Sequence, residues 1–193
     1  QRTAYLCEMV SFDSETATAR IISASPIDTE PPFNARLYQA LPKGDKLDTI
    51  IQKAVECGVA EVIPFESSRC IVRAKPEAES RKTERRCRIA EEAAKQCGRG
   101  IIPVVQPTVS YAEALRAASM ADVVIFCYEG DQTTPLPTVL QQASAALEAA
   151  EKNGRTPDIA IVIGSEGGFS PEEAAAAQDC GCILTGLGKR ILR

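Results

Sequence analysis

The chain has 193 residues, 45% of them apolar and 25% charged, with a net charge of −4, enough for one good core with at most a small appendage. No apolar run reaches the roughly 18 residues of a membrane helix, and the first ten residues lack the basic start and apolar core of a secretory signal. Histidine is absent, which excludes Ser-His-Asp and Cys-His hydrolases and the common histidine metal sites within this chain.

Residues 1 to 33 read as short strands, "AYLCEMV" and "TARIIS", closed by "SPIDTEPPF"; the Pro31-Pro32 pair marks a boundary. Beyond it strands and helices alternate. "ARLYQAL" reads as a strand, and "DKLDTIIQKAVECG" places Leu47, Ile50, Ile51, Ala54 and Val55 on one helical face, with Gly58 as the stop. "VAEVIPF" and "RCIVR" follow as extended segments, then a long helix from Pro76 to Cys97 ending at Gly98. The strand "IIPVVQP", the helix "SYAEALRAAS", the strand "DVVIFCYE", a helix from Thr138 to Lys152, the strand "DIAIVIG", the helix "PEEAAAAQDC" and the strand "CILT" complete the order. Such alternation implies a mostly parallel sheet covered on both faces, in an α/β domain spanning residues 34–193.

The eight cysteines are scattered without a C-x-x-C pair, so they read as small buried hydrophobes in a reducing cytosol, with no metal site. Charge is unevenly distributed. From Arg69 to Arg99 ten basic residues face five acidic ones, a window of +5 in an acidic chain. This is either an electrostatic footprint for nucleic acid or a solvated helix laced with i,i+4 pairs.

In parallel α/β sheets the ligand sits outside the carboxyl ends of the strands. Three glycine-bearing strand ends therefore stand out: "CYEGD" (127–131), "IGSEGGFS" (163–170) and "TGLGKRILR" (185–193), with Tyr128 and Glu129 at the rim of the first. "GSEGGFS" supplies neither a P-loop nor a dinucleotide fingerprint. The helix start after it is closed to phosphate, because Ser170, Pro171 and Glu173 form a self-capping start and Glu166, Glu172 and Glu173 repel an anion. Closely spaced glycines without an anion hole suit an uncharged ligand edge read by backbone groups, such as adenine, ribose or a thioether.

"IGSEGGFSPEE" together with "GLGKRILR" resembles the paired motifs I-G-P-E-G-G and L-G-x-R-[IV]-L-R of the RsmE family, the 16S ribosomal RNA uridine-N3 methyltransferases of the SPOUT superfamily. "LPKGDKLDTIIQKAVECGVAEVIPF", "SSRCIVR" and "EEAAKQCGRGIIPVV" match the same family in the same order, so the resemblance covers residues 36–193. It implies an α/β SPOUT fold whose C-terminal chain forms a trefoil knot, an exception to the usual absence of knots, preceded in residues 1–33 by the remainder of an RNA-gripping PUA-like β-barrel. It also implies S-adenosyl-L-methionine as cofactor, a homodimer, and 16S ribosomal RNA or the small ribosomal subunit as a cytoplasmic substrate, with no membrane or metal. Two departures stand in the motifs: Ser165 replaces the family's proline, and the family continues past the position of Arg193 with a Thr-Glu-Thr-Ala stretch and a last helix, so the domain is expected to be truncated there.

On that resemblance the cofactor contacts fall on Ile163, Gly164, Glu166, Gly167, Gly168, Leu187, Gly188, Ile191 and Leu192. Arg190, Arg193 and Glu166 become the catalytic candidates, the arginines stabilising a uracil anion and Glu166 acting as base or loop orienter. Arg69, Arg73, Arg85, Arg86 and Arg99 become the RNA contacts. Two other classes remain open: a SPOUT enzyme methylating transfer RNA or a ribose 2′-hydroxyl, and a non-enzymatic RNA-binding or ribosome-assembly module.

Overall fold

The computed structural model describes residues 3–189. It opens with an antiparallel ribbon, β1 (Thr3–Phe12) and β2 (Ala17–Pro26), joined by a turn in which the Asp13 carboxylate accepts from the Glu15 and Thr16 amides, both at 2.8 Å. Both faces of the ribbon are exposed along its length, Phe12 at 80% among them, so it adds nothing to the core of the described residues.

The segment after the ribbon is docked, not free. Ile27 and Pro31 fill the space that side chains at Gly100 and Gly58 would need. Between them the Glu30 carboxylate accepts from Arg99 (Nη2 at 2.7 Å, Nε at 3.2 Å) and from the amides of Gly100 and Ile101. Arg99 also donates to the carbonyls of Val55 and Val59, and the two side chains of the pair keep only 4% and 8% of their exposure.

The α/β unit follows as β3 (Asn34–Ala40), α1 (Lys46–Glu56), β4 (Glu61–Glu66), α2 (Pro76–Gln96), β5 (Val104–Val105), β6 (Val109–Ser110), α3 (Tyr111–Ala118), β7 (Val123–Cys127), β8 (Thr134–Pro135), α4 (Leu136–Lys152), β9 (Asp158–Ile163), α5 (Pro171–Asp179) and β10 (Ile183–Gly186). Leu47, Ile51 and Val55 are buried along α1 at a spacing of four, the stripe its sequence predicts. α1 and α2 each stop at a glycine with positive φ, Gly58 at 93° and Gly98 at 74°, a conformation that costs glycine no steric strain.

The sheet runs in the order β5-β4-β3-β9-β7-β10-β8, with β6 also on β4, and every pairing in it is parallel. β9 is inserted between β3 and β7, with Leu37 opposite Ile161 on one side and Ile125 opposite Ile161 on the other. Its alternation splits the core. Ala160 and Val162 join the main cluster with Tyr38, Phe65, Phe126 and Phe169, while Ile159 and Ile161 face Val123, Ile125 and Val139 under α4. A mostly parallel sheet covered on both faces is therefore present, as the alternating pattern predicts.

Several elements differ from the sequence reading. "RCIVR" is a turn and not a strand, because Arg73 curls back to donate to the carbonyls of Ser67 and Ser68 at 3.1 and 3.2 Å. "IIPVVQP" keeps only the two residues of β5 in the sheet, and the two-residue β6 and β8 carry too little pattern to be read. α4 starts at Leu136, two residues before the expected Thr138. The cysteines are less uniformly buried than expected: Cys70 and Cys182 are, but Cys7, Cys57 and Cys180 are exposed.

Candidate cofactor cleft and basic helix

Because the strands are parallel, β7, β9 and β10 all end on one edge, and there they frame a cleft of about 400 Å³. One wall is Cys127 to Gly130 with Thr133, a second is Ile163 to Ser165 with Gly167 to Phe169, and a third is Gly186 to Gly188; Arg69 closes the remaining side. Close approach of backbone sets its shape. A Cβ on Gly164 would stand 3.2 Å from the Gly168 backbone, and one on Gly186 would stand 2.5 Å from Thr133 Oγ1.

The glycine loop is held from all sides. At its start, Gln39 at the end of β3 donates through Nε2 to the Gly164 carbonyl at 3.2 Å. Within it, the Gly168 amide donates to the Ser165 carbonyl at 2.9 Å. At its exit, Phe169 is buried against Phe126 with ring centroids 4.3 Å apart, and against Phe65 and Tyr111 at 6.2 and 6.0 Å. Ser170 and Glu173 then form the reciprocal capping box that starts α5. Glu173 also accepts from the Ser68 amide at 2.7 Å, tying the loop after β4 to the same helix start. From that loop Arg69 Nη1 donates to the Gly167 carbonyl at 3.0 Å.

Glu166 is turned to a different task. Its carboxylate accepts from Lys46 Nζ at 2.6 Å and from the Lys43 amide at 3.2 Å, and it is not among the residues lining the cleft. The Lys46 ammonium, with the Lys43 amide, holds it down to about pKa 2. A carboxylate that acidic is a poor proton acceptor near neutral pH, so the geometry fits the loop-orienting role of the two considered and not the base. Burial pushes the Cys127 thiol up to about 11, which keeps it protonated and unreactive beside the cleft. Glu129, exposed on the rim, and Arg69 are the charged residues in the lining. No group of three or more Cys, Asp or Glu side chains that could hold a metal occurs among the described residues, and no described helix is long and apolar enough to cross a membrane.

Of the sequence-predicted cofactor residues, Ile163, Gly164, Gly167, Gly168, Leu187 and Gly188 share this one cleft. Arg190, Ile191, Leu192 and Arg193 lie outside the described residues. Ser165, Thr133 and Phe169 line the cleft too, although the sequence does not mark them as contacts. Ser165 stands out only as a departure from a motif, and Thr133 sits in a loop with no chemical signature.

The basic window divides on folding. Arg86 is buried, donating to Glu79 at 3.0 Å and Thr108 Oγ1 at 3.2 Å, and Arg99 is the buried partner of Glu30. Neither is placed to meet RNA, which corrects their assignment to that face. Arg73 is occupied by the turn it stabilises and by Glu66 at 3.5 Å. Arg81, Arg85, Arg88 and Lys95 remain exposed on α2 at helical spacing. Arg85 pairs with Asp48, Arg88 with Glu84 at 2.8 Å and Lys95 with Glu91 at 2.6 Å.

A parallel sheet with a glycine-walled cleft at its carboxyl edge, and a basic helix packed on α1 and β5, is the setting in which the family comparisons fall. The model of the RNA methyltransferase domain family matches residues 29–193, which sets the class of the α/β unit. Ribosomal RNA small subunit methyltransferase E of Bacillus subtilis (strain 168) is 31% identical over 187 residues, covering 97% of this chain and 71% of that protein. A crystal structure of the ribosomal RNA small subunit methyltransferase E from Neisseria gonorrhoeae, bound to S-adenosyl methionine, superposes with a TM-score of 0.79 at 29% identity, over 100% of this chain and 74% of that one. The putative methyltransferase Lpg2936 from Legionella pneumophila, in complex with the cofactor SAM, gives 0.79 at 26% identity, over 100% and 73%. The chain belongs to the ribosomal RNA small subunit methyltransferase E family.

Proposed function

We propose that this chain is an S-adenosyl-L-methionine-dependent methyltransferase acting on N3 of a uridine in 16S ribosomal RNA, and that the cleft at the ends of β7, β9 and β10 is its cofactor site. The observation that carries the reading is the glycine loop. Its backbone is pinned at Gln39, Arg69 and Phe169, and its following helix is capped by its own Ser170 and Glu173. A loop so built offers fixed N–H and C=O groups and close backbone approach but no anion hole, which fits an adenosylated cofactor without phosphates. Family membership and the S-adenosyl methionine bound in two similar structures support the same cofactor.

Ile163, Gly164, Gly167, Gly168, Leu187 and Gly188 would hold the cofactor, with Ile191 and Leu192 added from the same motif. When bound, it supplies an electrophilic methyl group. This chain's part is to orient the uracil, let the N3 proton pass to solvent water, and stabilise the negative charge then shared by N3 and the two carbonyl oxygens of the base. Arg69, a cation in the cleft wall, suits that last role, as do Arg190 and Arg193. Glu166 is a brace for the loop and not the base. Arg81, Arg85 and Arg88, exposed on α2, would offer a separate basic strip to the RNA.

Within this reading the chain divides into a PUA-like barrel portion at residues 1–33 and a SPOUT domain at 34–193, closed by a C-terminal trefoil knot and working as a cytoplasmic homodimer. The uncovered apolar ribbon supports the first part, and the late insertion of β9 between β3 and β7 suits a knotted chain. Transfer of labelled methyl from S-adenosylmethionine to 16S ribosomal RNA, with none to transfer RNA, is the expected result; labelling of transfer RNA alone would overturn the substrate assignment.

A further inference from the structure

Four side-chain polar atoms among the described residues are buried without a hydrogen-bond partner: Arg36 Nε, Glu79 Oε2, Thr83 Oγ1 and Ser165 Oγ. Of these residues, only Ser165 lines the cleft. Its backbone is fixed, since its carbonyl receives the Gly168 amide and the preceding carbonyl receives Gln39, so the hydroxyl is re-aimed only by rotation about its Cα–Cβ bond. A buried hydroxyl carries one donor and two acceptor sites, and leaving it unmet is unfavourable to the folded protein. At the wall of the cleft, a bound ligand can supply the partner that the fold does not.

We infer that Ser165, where the family motif has proline, is a cofactor-binding residue, its hydroxyl exchanging a hydrogen bond with an uncharged polar group of the adenosyl portion of the cofactor. The inference rests on the proposed function and adds a contact that the family motif cannot make, because the motif I-G-P-E-G-G has a side chain without a hydroxyl at this position. The same place in the loop thus changes from a rigid imino acid to a polar contact, while Glu166, Gly167 and Gly168 keep their positions.

The test is calorimetric titration of S-adenosylhomocysteine, which binds without turnover, into the unaltered chain and Ser165→Ala, with thermal melting of both in the absence of ligand. One neutral hydrogen bond corresponds to about a 2- to 12-fold weaker Kd in the variant. Removing an unmet buried hydroxyl should leave the ligand-free melting temperature unchanged or higher. Equal affinities in the two proteins would overturn the inference while leaving the cofactor reading intact, and so would a lower ligand-free melting temperature with unchanged affinity, since the hydroxyl would then serve the fold. Failure of the unaltered chain to bind at all would overturn the cofactor reading and this contact with it.

Discussion

Replacing Glu30 by alanine should destabilise the protein far more than any exposed ion pair could. The carboxylate is 8% exposed, its partner Arg99 is 4% exposed, and two backbone amides, of Gly100 and Ile101, depend on the same oxygens. Burial alone would raise the Glu30 pKa; the hydrogen bonds and charge of Arg99 outweigh it and hold the carboxyl below its usual range. Removing one member of a buried pair leaves an uncompensated charge, which typically costs roughly 3–5 kcal/mol. For a chain of this length that corresponds to a fall in Tm of roughly 6–20 °C, at about 2–4 °C per kcal/mol. Urea denaturation at pH 7, with the midpoint and slope compared between variants, measures it. Because the folded pKa is depressed, the stabilisation is present above the unfolded value near 4.5 and is lost as pH falls through the folded one, so the difference between variants should shrink in acid. A loss below about 1 kcal/mol, the range of exposed pairs, would refute the claim that this pair locks the segment after the ribbon to the α/β unit.

Glu166→Gln keeps one acceptor oxygen, the position that receives both the Lys43 amide and Lys46 Nζ, and should lower methyl transfer less than tenfold, whereas a general base contributes about 10²- to 10⁴-fold; initial-rate measurements across pH distinguish the two. Glu166 is held down to about pKa 2 from an ordinary 4.5, so its contribution to stability is present above pH 4.5 and disappears towards pH 2, and acid titration of the Gln variant should lack that component. Reversing Arg81, Arg85 and Arg88 to glutamate should weaken RNA binding and flatten its dependence on log salt by about 0.7–0.9 for each phosphate no longer neutralised, with cofactor affinity unchanged; an identical slope would mean that α2 is only a solvated face. Ser170→Ala removes the α5 cap and should cost about 0.5–2 kcal/mol in denaturation experiments.

Much of the α/β architecture is legible in the sequence because it is written in local periodicity. The fourfold spacing of Leu47, Ile51 and Val55 and the apolar run at residues 158–163 each specify their element, and the Ser170, Pro171, Glu173 start of α5 forms its capping box as read. The glycine loop points to a cleft for the same reason, since the residue types that permit close backbone approach are visible in one dimension. Pairing is not. Nothing in "DIAIVI" says that it enters between β3 and β7, because parallel partners are chosen by contacts more than a hundred residues apart in the case of β3. The same distance hides the roles of charges. Glu166 meets Lys46 across 120 residues and Arg99 meets Glu30 across 69, so a count of charges in a window gives Arg86 and Arg99 the same weight as Arg81 and Arg88. Burial, which separates them, comes from packing.

The most direct test of the account is nucleoside analysis of 16S ribosomal RNA, free or within small subunits, after incubation with this chain and S-adenosylmethionine. Complete digestion followed by mass spectrometry should yield 3-methyluridine as the new nucleoside, and its amount should fall when Arg69 is replaced by alanine. Appearance of a ribose-methylated nucleoside in its place, or no methylated product while S-adenosylmethionine remains bound, would contradict the assignment of uridine N3 chemistry to this cleft.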